Sequence, residues 1–356
     1  MTTREIVVVS GSYGAGHDAV AAALSEQLRA SGHVVRRLDV AEELPWRIGI
    51  LLRWLYFTQL RLLPGTWGAT VRCLERDGVV FATVQRLLGL LGRRLTRKVA
   101  GAELVVSTHF FASQALGQAR ARGRLDCPVV TYLTDASVQR LWVHPAVDLH
   151  LAILEVPAQQ ARDLGGRTAV VRPVVAGSAG IVPEDWRPPW PADRPVALVV
   201  GGSNGVGELE ASALDVLATG VMTPVVACGT NDRLRDHLDT LPGVVALGWR
   251  EDMTALVAAA TCVIQNAGGM TSLESLAAGT PTLTYLPIPG HGATNAYALD
   301  TAGLVPWITD VDQLEPALTR VLMSPETFGL PADAPSVLEV LSRQLLVVPE
   351  PALLAA

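Results

Sequence analysis

Four glycine-rich crossings hold the residues whose types and spacing could do chemistry. The first is Ser10-Gly11-Ser12-Tyr13-Gly14-Ala15-Gly16-His17. Glycines let a ligand approach the backbone closely, and a helix start behind them exposes unpaired N–H groups at a positive dipole end. That end favours a neutral imidazole, the form a general base needs. His17 is therefore read as the base, at the first position of a helix. A tight turn with a surface histidine is the plainer alternative. A dinucleotide site with Asp39 on the ribose is another, but G-x-x-G-x-G is not the G-x-G-x-x-G fingerprint.

The second crossing, Gly201-Gly202-Ser203-Asn204-Gly205, suits a diphosphate held by backbone amides at a helix start. The third joins Gly248-Trp249-Arg250-Glu251-Asp252-Met253 to Gln265-Asn266-Ala267-Gly268-Gly269-Met270-Thr271-Ser272-Leu273-Glu274. Trp249 offers a face on which a base can stack. Glu274, about one turn into a helix, can accept both hydroxyls of a ribose, or merely complement the helix dipole. The fourth, Pro287-Ile288-Pro289-Gly290-His291-Gly292-Ala293-Thr294-Asn295-Ala296, is another strand-to-helix crossing. No D-x-D-type acidic cluster accompanies the phosphate loops, so no metal or other cofactor is expected. His109 and His144 read as structural or acceptor-side residues, while His33, His150 and His237 belong to no constellation.

Such loops need strands to aim them. Apolar runs at Arg4–Ser10, Val34–Val40, Glu103–Thr108, Pro128–Thr134, Leu149–Leu154 and Thr168–Val175 read as strands, with Asp18–Ser31 a helix stopped by Gly32. Prolines 183, 188, 189, 191 and 195 mark a linker. The rhythm restarts with strands at Val196–Val200, Thr223–Cys228, Val244–Leu247, Cys262–Gln265, Thr282–Leu286 and Val305–Ile308. Continuous apolar strands alternating with helices predict parallel sheets covered on both faces. The fold class is α/β, with two doubly wound Rossmann-like domains facing a central cleft. The expected division is 1–180, with a basic amphipathic insertion at 45–98; a linker, 181–195; a second domain, 196–330; and a helix and tail, 331–356.

Composition narrows the function. With 49% apolar and 17% charged residues, the 356-residue chain can bury two cores, and its net charge of -6 argues against a nucleic-acid partner. A mean hydropathy of +0.33 raises the question of a membrane span, but the long uncharged runs are broken by Gly, Pro, Asn and Thr. Four cysteines without CxxC spacing and a start without a secretory pattern predict a cytoplasmic protein. Charge is uneven: from Arg47 to Lys98 ten basic residues face two acidic ones, +8 locally against -14 elsewhere. Trp46, Ile48, Ile50, Leu51, Leu52, Trp54, Leu55, Tyr56 and Phe57 lie among these arginines. The segment reads as an anionic membrane surface contact or as an ordinary helical subdomain.

Taken in order, the motifs resemble those of GT-B glycosyltransferases that use UDP-sugars. Nearest are the monogalactosyldiacylglycerol synthases, the processive diacylglycerol glucosyltransferases and the N-acetylglucosaminyltransferase that makes the lipid-linked peptidoglycan precursor. The likeness covers residues 4–325 and includes Ser107-Thr108-His109-Phe110, Thr134-Asp135 and Trp142-Val143-His144-Pro145. It implies His17 as catalytic base, aided by Asp135. It implies a donor site of Gly201, Gly202, Ser203, Asn204, Gly205, Gly229, Asn231, Trp249, Arg250, Met253, Asn266, Gly268, Gly269, Met270, Thr271, Glu274, His291 and Asn295. Tyr13, Gly14, Gly16, His109, Trp142 and His144 fall to the acceptor side. His291 stands where relatives often carry glutamine, and Gln139 where lipid-glycosylating relatives often carry histidine. The implied reaction is metal-free, inverting transfer from a UDP-sugar to a hydroxyl of a lipid or amphipathic acceptor, performed on the inner face of a membrane. A UDP-sugar epimerase and a non-catalytic nucleotide-sugar-binding subunit are the alternatives.

Overall fold

The computed structural model describes residues 5–43, 78–175, 179–191, 194–323 and 333–346, together with Gly49, Leu51, Trp54, Leu55, Thr58, Gln59, Thr66, Cys73, Arg76, Gly177 and Leu330. Of the apolar cluster expected in the basic insertion, Trp46, Ile48, Ile50, Leu52, Tyr56 and Phe57 lie outside the described residues, as do Arg47, Arg53, Arg61 and Arg72.

Among the described residues, twelve strands form two six-stranded sheets, all parallel. The first holds β1 (Glu5–Ser10), β2 (Val34–Asp39), β3 (Leu104–Ser107), β4 (Val129–Tyr132), β5 (Leu149–Ala152) and β6 (Thr168–Val170), in the order β2-β1-β3-β4-β5-β6. The second holds β7 (Val196–Val200), β8 (Thr223–Ala227), β9 (Val245–Leu247), β10 (Cys262–Gln265), β11 (Thr282–Tyr285) and β12 (Trp307–Ile308), in the order β12-β11-β10-β7-β8-β9. Every run read as a strand contains one; the central strands are unbroken apolar stretches covered on both faces, whereas β2, with Arg36 and Arg37, is a partly exposed edge. Ile6, Val8, Leu104, Val106, Val130, Leu198 and Val263 are completely buried, each such side chain contributing about 1.5–3 kcal/mol. The last strand of the first sheet is shorter than expected. After Val170 the chain leaves the sheet edge: Arg172 N–H donates to Pro335 O at 2.9 Å, and Val174 N–H to the Tyr132 hydroxyl at 2.8 Å.

Strand order reverses between β1 and β3 in one sheet and between β7 and β10 in the other. Doubly wound sheets bind ligands at such switch points, outside the carboxyl ends of the strands. Registers Val9↔Ser107 and Val200↔Gln265 bring the flanking strands out side by side. Three of the four glycine-rich crossings, after β1, β7 and β10, therefore leave from the two switch points. The fourth follows β11, the neighbour of β10.

The proline-rich linker is docked rather than loose. Trp190 is 8% exposed in the second lobe's core, and Trp186 Nε1–H donates to Asp252 Oδ2 at 2.7 Å. The last described helix, Val337–Leu346, returns toward the first lobe, with Val337, Val340 and Leu341 in a cluster that includes Ile6, Val8 and Val174.

Candidate active site

A cavity of about 570 Å³ separates the lobes. The first lobe lines it with Tyr13, Gly14, Ala15, Gly16, His17, Phe110, Phe111, Thr134, Asp135, Gln139 and Trp142, and with Leu55 and Gln59 from the insertion. The second contributes Gly201, Gly202, Ser203, Asn204, Gly229, Trp249, Arg250, Met253, Gly268, Gly269, Met270, Thr271, Glu274 and His291. The sequence reading missed Leu55, Gln59, Phe110 and Phe111 as lining residues. The two phenylalanines directly follow a singled-out His109, but nothing in Leu55 or Gln59 distinguishes them from their neighbours.

His17 is fixed by its own ring chemistry. The helix begins at Ala15, so His17 is its third residue rather than its first. Its Nδ1 lies 3.0 Å from Thr108 O and 3.0 Å from Thr134 Oγ1. A carbonyl oxygen only accepts, so Nδ1 carries the proton, shared with the threonine oxygen, and Nε2 keeps the lone pair. His109 packs edge-on at 4.8 Å and Trp142 at 5.8 Å, which hold the ring plane. Asp135 is not the group that orients His17, since Thr108 O and Thr134 Oγ1 hold Nδ1. Its Oδ2 accepts instead from Trp142 Nε1–H at 3.2 Å. His291, half-buried, faces the same groups. Burial holds its imidazole below the usual histidine range, while the Asp135 carboxylate pulls up and His17 pushes down.

The opposite wall is mostly backbone. The helices Met270–Ala278 and His291–Thr301 start at Gly269 and Gly290, and neither has a side-chain cap; the same holds for Ala15–Ala30 behind Gly14. The third N–H of each first turn already donates, His17 to Gly14 O, Ser272 to Gly269 O and Ala293 to Ile288 O, which leaves the first two of each for an anion. The loops after β7 and β8 interlock: a β-carbon at Gly205 would stand 2.1 Å from Cys228 O, and one at Gly229 2.3 Å from Ser203 O. Both glycines have positive φ, at +51° and +56°, so the approach needs glycine at each. Glu274 is half-buried on the cavity wall, and no hydrogen bond or ion pair among the described residues reaches it. Burial alone lifts its carboxyl to about 7. Trp249, 56% exposed, also lies on the cavity wall. Arg250 is held by Asp252, Nε to Oδ1 at 2.8 Å and Nη2 to Oδ2 at 2.5 Å, which keeps the Asp252 carboxyl low.

Several expected ligand contacts are structural instead. His109 is completely buried, and its Nδ1 accepts from Phe111 N–H at 3.2 Å, capping the helix Phe110–Ala121. It does not line the cavity. His144 lies against that helix at Gly117 and accepts from Ala146 N–H at 3.1 Å. Asn231 caps Leu234 N–H and donates to Gly205 O. Asn266 is 3% exposed and donates to Val206 O at 2.8 Å. Asn295 is fully buried and turned toward the first lobe. In each case one polar atom of a side chain beside a tight turn bonds to backbone, while Asn266 Oδ1 and His109 Nε2 stay buried without a partner among the described residues. Asp39, the ribose residue of the dinucleotide alternative, accepts from Ser12 and Ala41 N–H groups and so braces the first loop.

Comparison with known proteins agrees with this architecture. Residues 17–174 match the family described as monogalactosyldiacylglycerol (MGDG) synthase. The chain is 22% identical over 344 residues to the processive diacylglycerol beta-glucosyltransferase of Bacillus subtilis (strain 168), covering 92% of this chain and 89% of that one. Among solved structures, the Streptomyces sp. SF2575 glycosyltransferase SsfS6, in complex with thymidine diphosphate, aligns at a TM-score of 0.60 with 17% identity, over 96% of this chain and 99% of that one. Acinetobacter baumannii MurG aligns at 0.55 with 17% identity, over 96% and 98%. No helix among the described residues is long and apolar enough to cross a membrane. The chain thus has the GT-B fold, and it is similar to the monogalactosyldiacylglycerol synthase family over residues 17–174 and to processive diacylglycerol glucosyltransferases over most of its length.

Proposed function

We propose that the protein transfers a sugar, with inversion, from a UDP-sugar to a hydroxyl of a lipid or amphipathic acceptor. One observation carries the reading. An imidazole with a free Nε2 stands on one wall of a cavity whose other wall offers uncapped helix starts and an unpartnered carboxyl. The acceptor oxygen bonds to the anomeric carbon as the bond from that carbon to the diphosphate oxygen breaks. The hydroxyl proton passes to His17 Nε2, and the electron pair leaves with UDP. Turn amides and helix N-termini stabilise the charge gained by the diphosphate without a metal. Glu274 accepts both ribose hydroxyls, which resolves its buried and unpartnered state. The thymidine diphosphate bound by SsfS6 and the diacylglycerol substrate named for the Bacillus relative support the same donor and acceptor classes.

The acceptor side is apolar where a lipid would enter. Leu55, Phe110, Phe111 and Trp142 line the cavity. The helix Val79–Lys98 exposes Val79, Val80, Leu87 and Leu90, with Arg86, Arg93, Arg94, Arg97 and Lys98 also at the surface. Such a face supports peripheral contact with an anionic bilayer, each basic residue adding about 1 kcal/mol. The test is UDP release from UDP-glucose and UDP-galactose, with and without diacylglycerol in vesicles that contain or lack anionic lipid. Release only with acceptor, faster on anionic vesicles, is expected. Sugar interconversion without acceptor would replace the reading with an epimerase, and UDP binding with neither reaction would leave a binding subunit.

A further inference from the structure

The two lobes are joined at a buried polar contact behind the cavity. Ser137, 4% exposed, follows β4 in the first lobe. Asn295, 0% exposed, lies on the helix His291–Thr301 of the second. Ser137 N–H donates to Asn295 Oδ1 at 2.9 Å, and Ser137 Oγ–H to the same oxygen at 2.7 Å. Thr294 Oγ1 stands 2.9 Å from Ser137 Oγ. The other end of the amide is also occupied: Asn295 Nδ2–H donates to Ala267 O at 3.0 Å. Ala267 opens the turn that carries Gly268, Gly269 and Met270, and a β-carbon at Gly268 would stand 2.5 Å from Asn295 Cβ.

The contact also continues into the first lobe's chemistry. Ser137 lies three residues after Thr134, whose hydroxyl holds His17 Nδ1, and two after Asp135, which faces His291. The lobes touch again at the far side of the turn, where a β-carbon at Gly16 would stand 2.9 Å from Met270 Cγ. One amide therefore spans from the segment that orients the imidazole to the turn proposed to hold the diphosphate. Both its oxygen and its nitrogen are used, and neither faces the cavity.

We propose that Ser137 and Asn295 form a latch that holds the lobes closed and sets the distance between His17 and the diphosphate turn. They are positioning residues, and their role as such rests on the transferase reading above. A buried amide whose donors sit in the other lobe loses those partners when the lobes part, so opening leaves Asn295 Oδ1 to find water. A base misplaced by about 1 Å loses rate while each lobe keeps its own binding groups.

Ser137→Ala is the cleanest test, since the recorded contacts of the Ser137 hydroxyl all cross between the lobes. We expect kcat to fall roughly tenfold, with UDP affinity within about twofold of wild type. Ser137→Thr, which keeps the hydroxyl, restores most of the rate. Amide exchange at Ser137 N–H reads the latch without turnover: protected in wild type, faster in Ser137→Ala and fastest in Asn295→Ala. Unchanged kcat in Ser137→Ala, or UDP affinity falling in step with kcat, would overturn the positioning role. Equal exchange in all three proteins would overturn the latch itself. If the wild type turns over no UDP-sugar yet its exchange follows the expected order, the transferase reading fails and the latch stands.

Discussion

The two walls of the cleft are built from different materials. On the first lobe the groups that can do chemistry are side chains held by other side chains: His17 by Thr134 and the Thr108 carbonyl, Asp135 by the Trp142 indole. On the second lobe the wall proposed to hold phosphate is backbone, uncapped helix starts and glycine turns that interlock only because they lack a β-carbon, plus one carboxyl. A wall of fixed side chains can place one proton acceptor to within a fraction of an ångström. A wall of amides spreads charge stabilisation over many donors, none of which is indispensable. Deletions on the first wall should therefore appear in the rate, and deletions on the second in donor binding.

The largest expected effect tests that split at its sharpest point. His17→Ala should lower kcat about 10²- to 10⁴-fold while UDP affinity, measured by calorimetry, stays within about twofold. Equal losses in both would erase the distinction between the walls. Glu274→Gln should do the reverse, weakening UDP binding roughly tenfold with little change in kcat at saturating donor.

The same carboxyl makes the second wall sensitive to pH. Its folded pKa of about 7 lies above the ordinary 4.5. Between those values the native state keeps a proton that the unfolded chain has lost. Stability from this group is therefore greatest below 4.5, declines as pH rises through 7, and stays reduced above it. Glu274→Gln should thus melt higher than wild type at pH 8, with the difference closing by pH 5. Wild-type UDP affinity should rise as pH passes 7, with proton release detectable in buffers of different ionisation enthalpy. The smallest effect belongs to Thr134→Val. Thr108 O still holds the Nδ1 proton, so kcat should drop only about threefold, with KM unchanged.

What the sequence made legible follows from the same contrast. Parallel strands buried on both faces, such as β1, β3, β4, β7 and β10, leave an apolar signature that survives without neighbours, while the edge strand β2, with Arg36 and Arg37, was readable only from its place in the rhythm. Glycine turns at their carboxyl ends were readable for the same reason, since a backbone site needs little beyond local residues. Side-chain partnerships were not. Nothing in Ser10–His17 says that Thr108 and Thr134 meet at one imidazole nitrogen, because both are brought there by the sheet. Asn231, Asn266 and Asn295 looked like ligand donors because a polar amide beside a glycine turn has the same appearance whether it faces a phosphate or a buried carbonyl. His109 misled similarly: its use of Nδ1 to accept from the N–H two residues on depends on a backbone geometry that sequence alone does not specify. Leu55 and Gln59 reach the cavity from a segment whose charge and aromatic content pointed to a membrane surface or an ordinary helical subdomain, and not to the cleft.

The described segment after β6 and the one just before the helix Val337–Leu346 are tied together by Arg172 N–H donating to Pro335 O. A door on one pin can swing and twist in any direction. Pinned at two points, it is confined to a single arc, so any motion between the lobes would bring the same atoms back together.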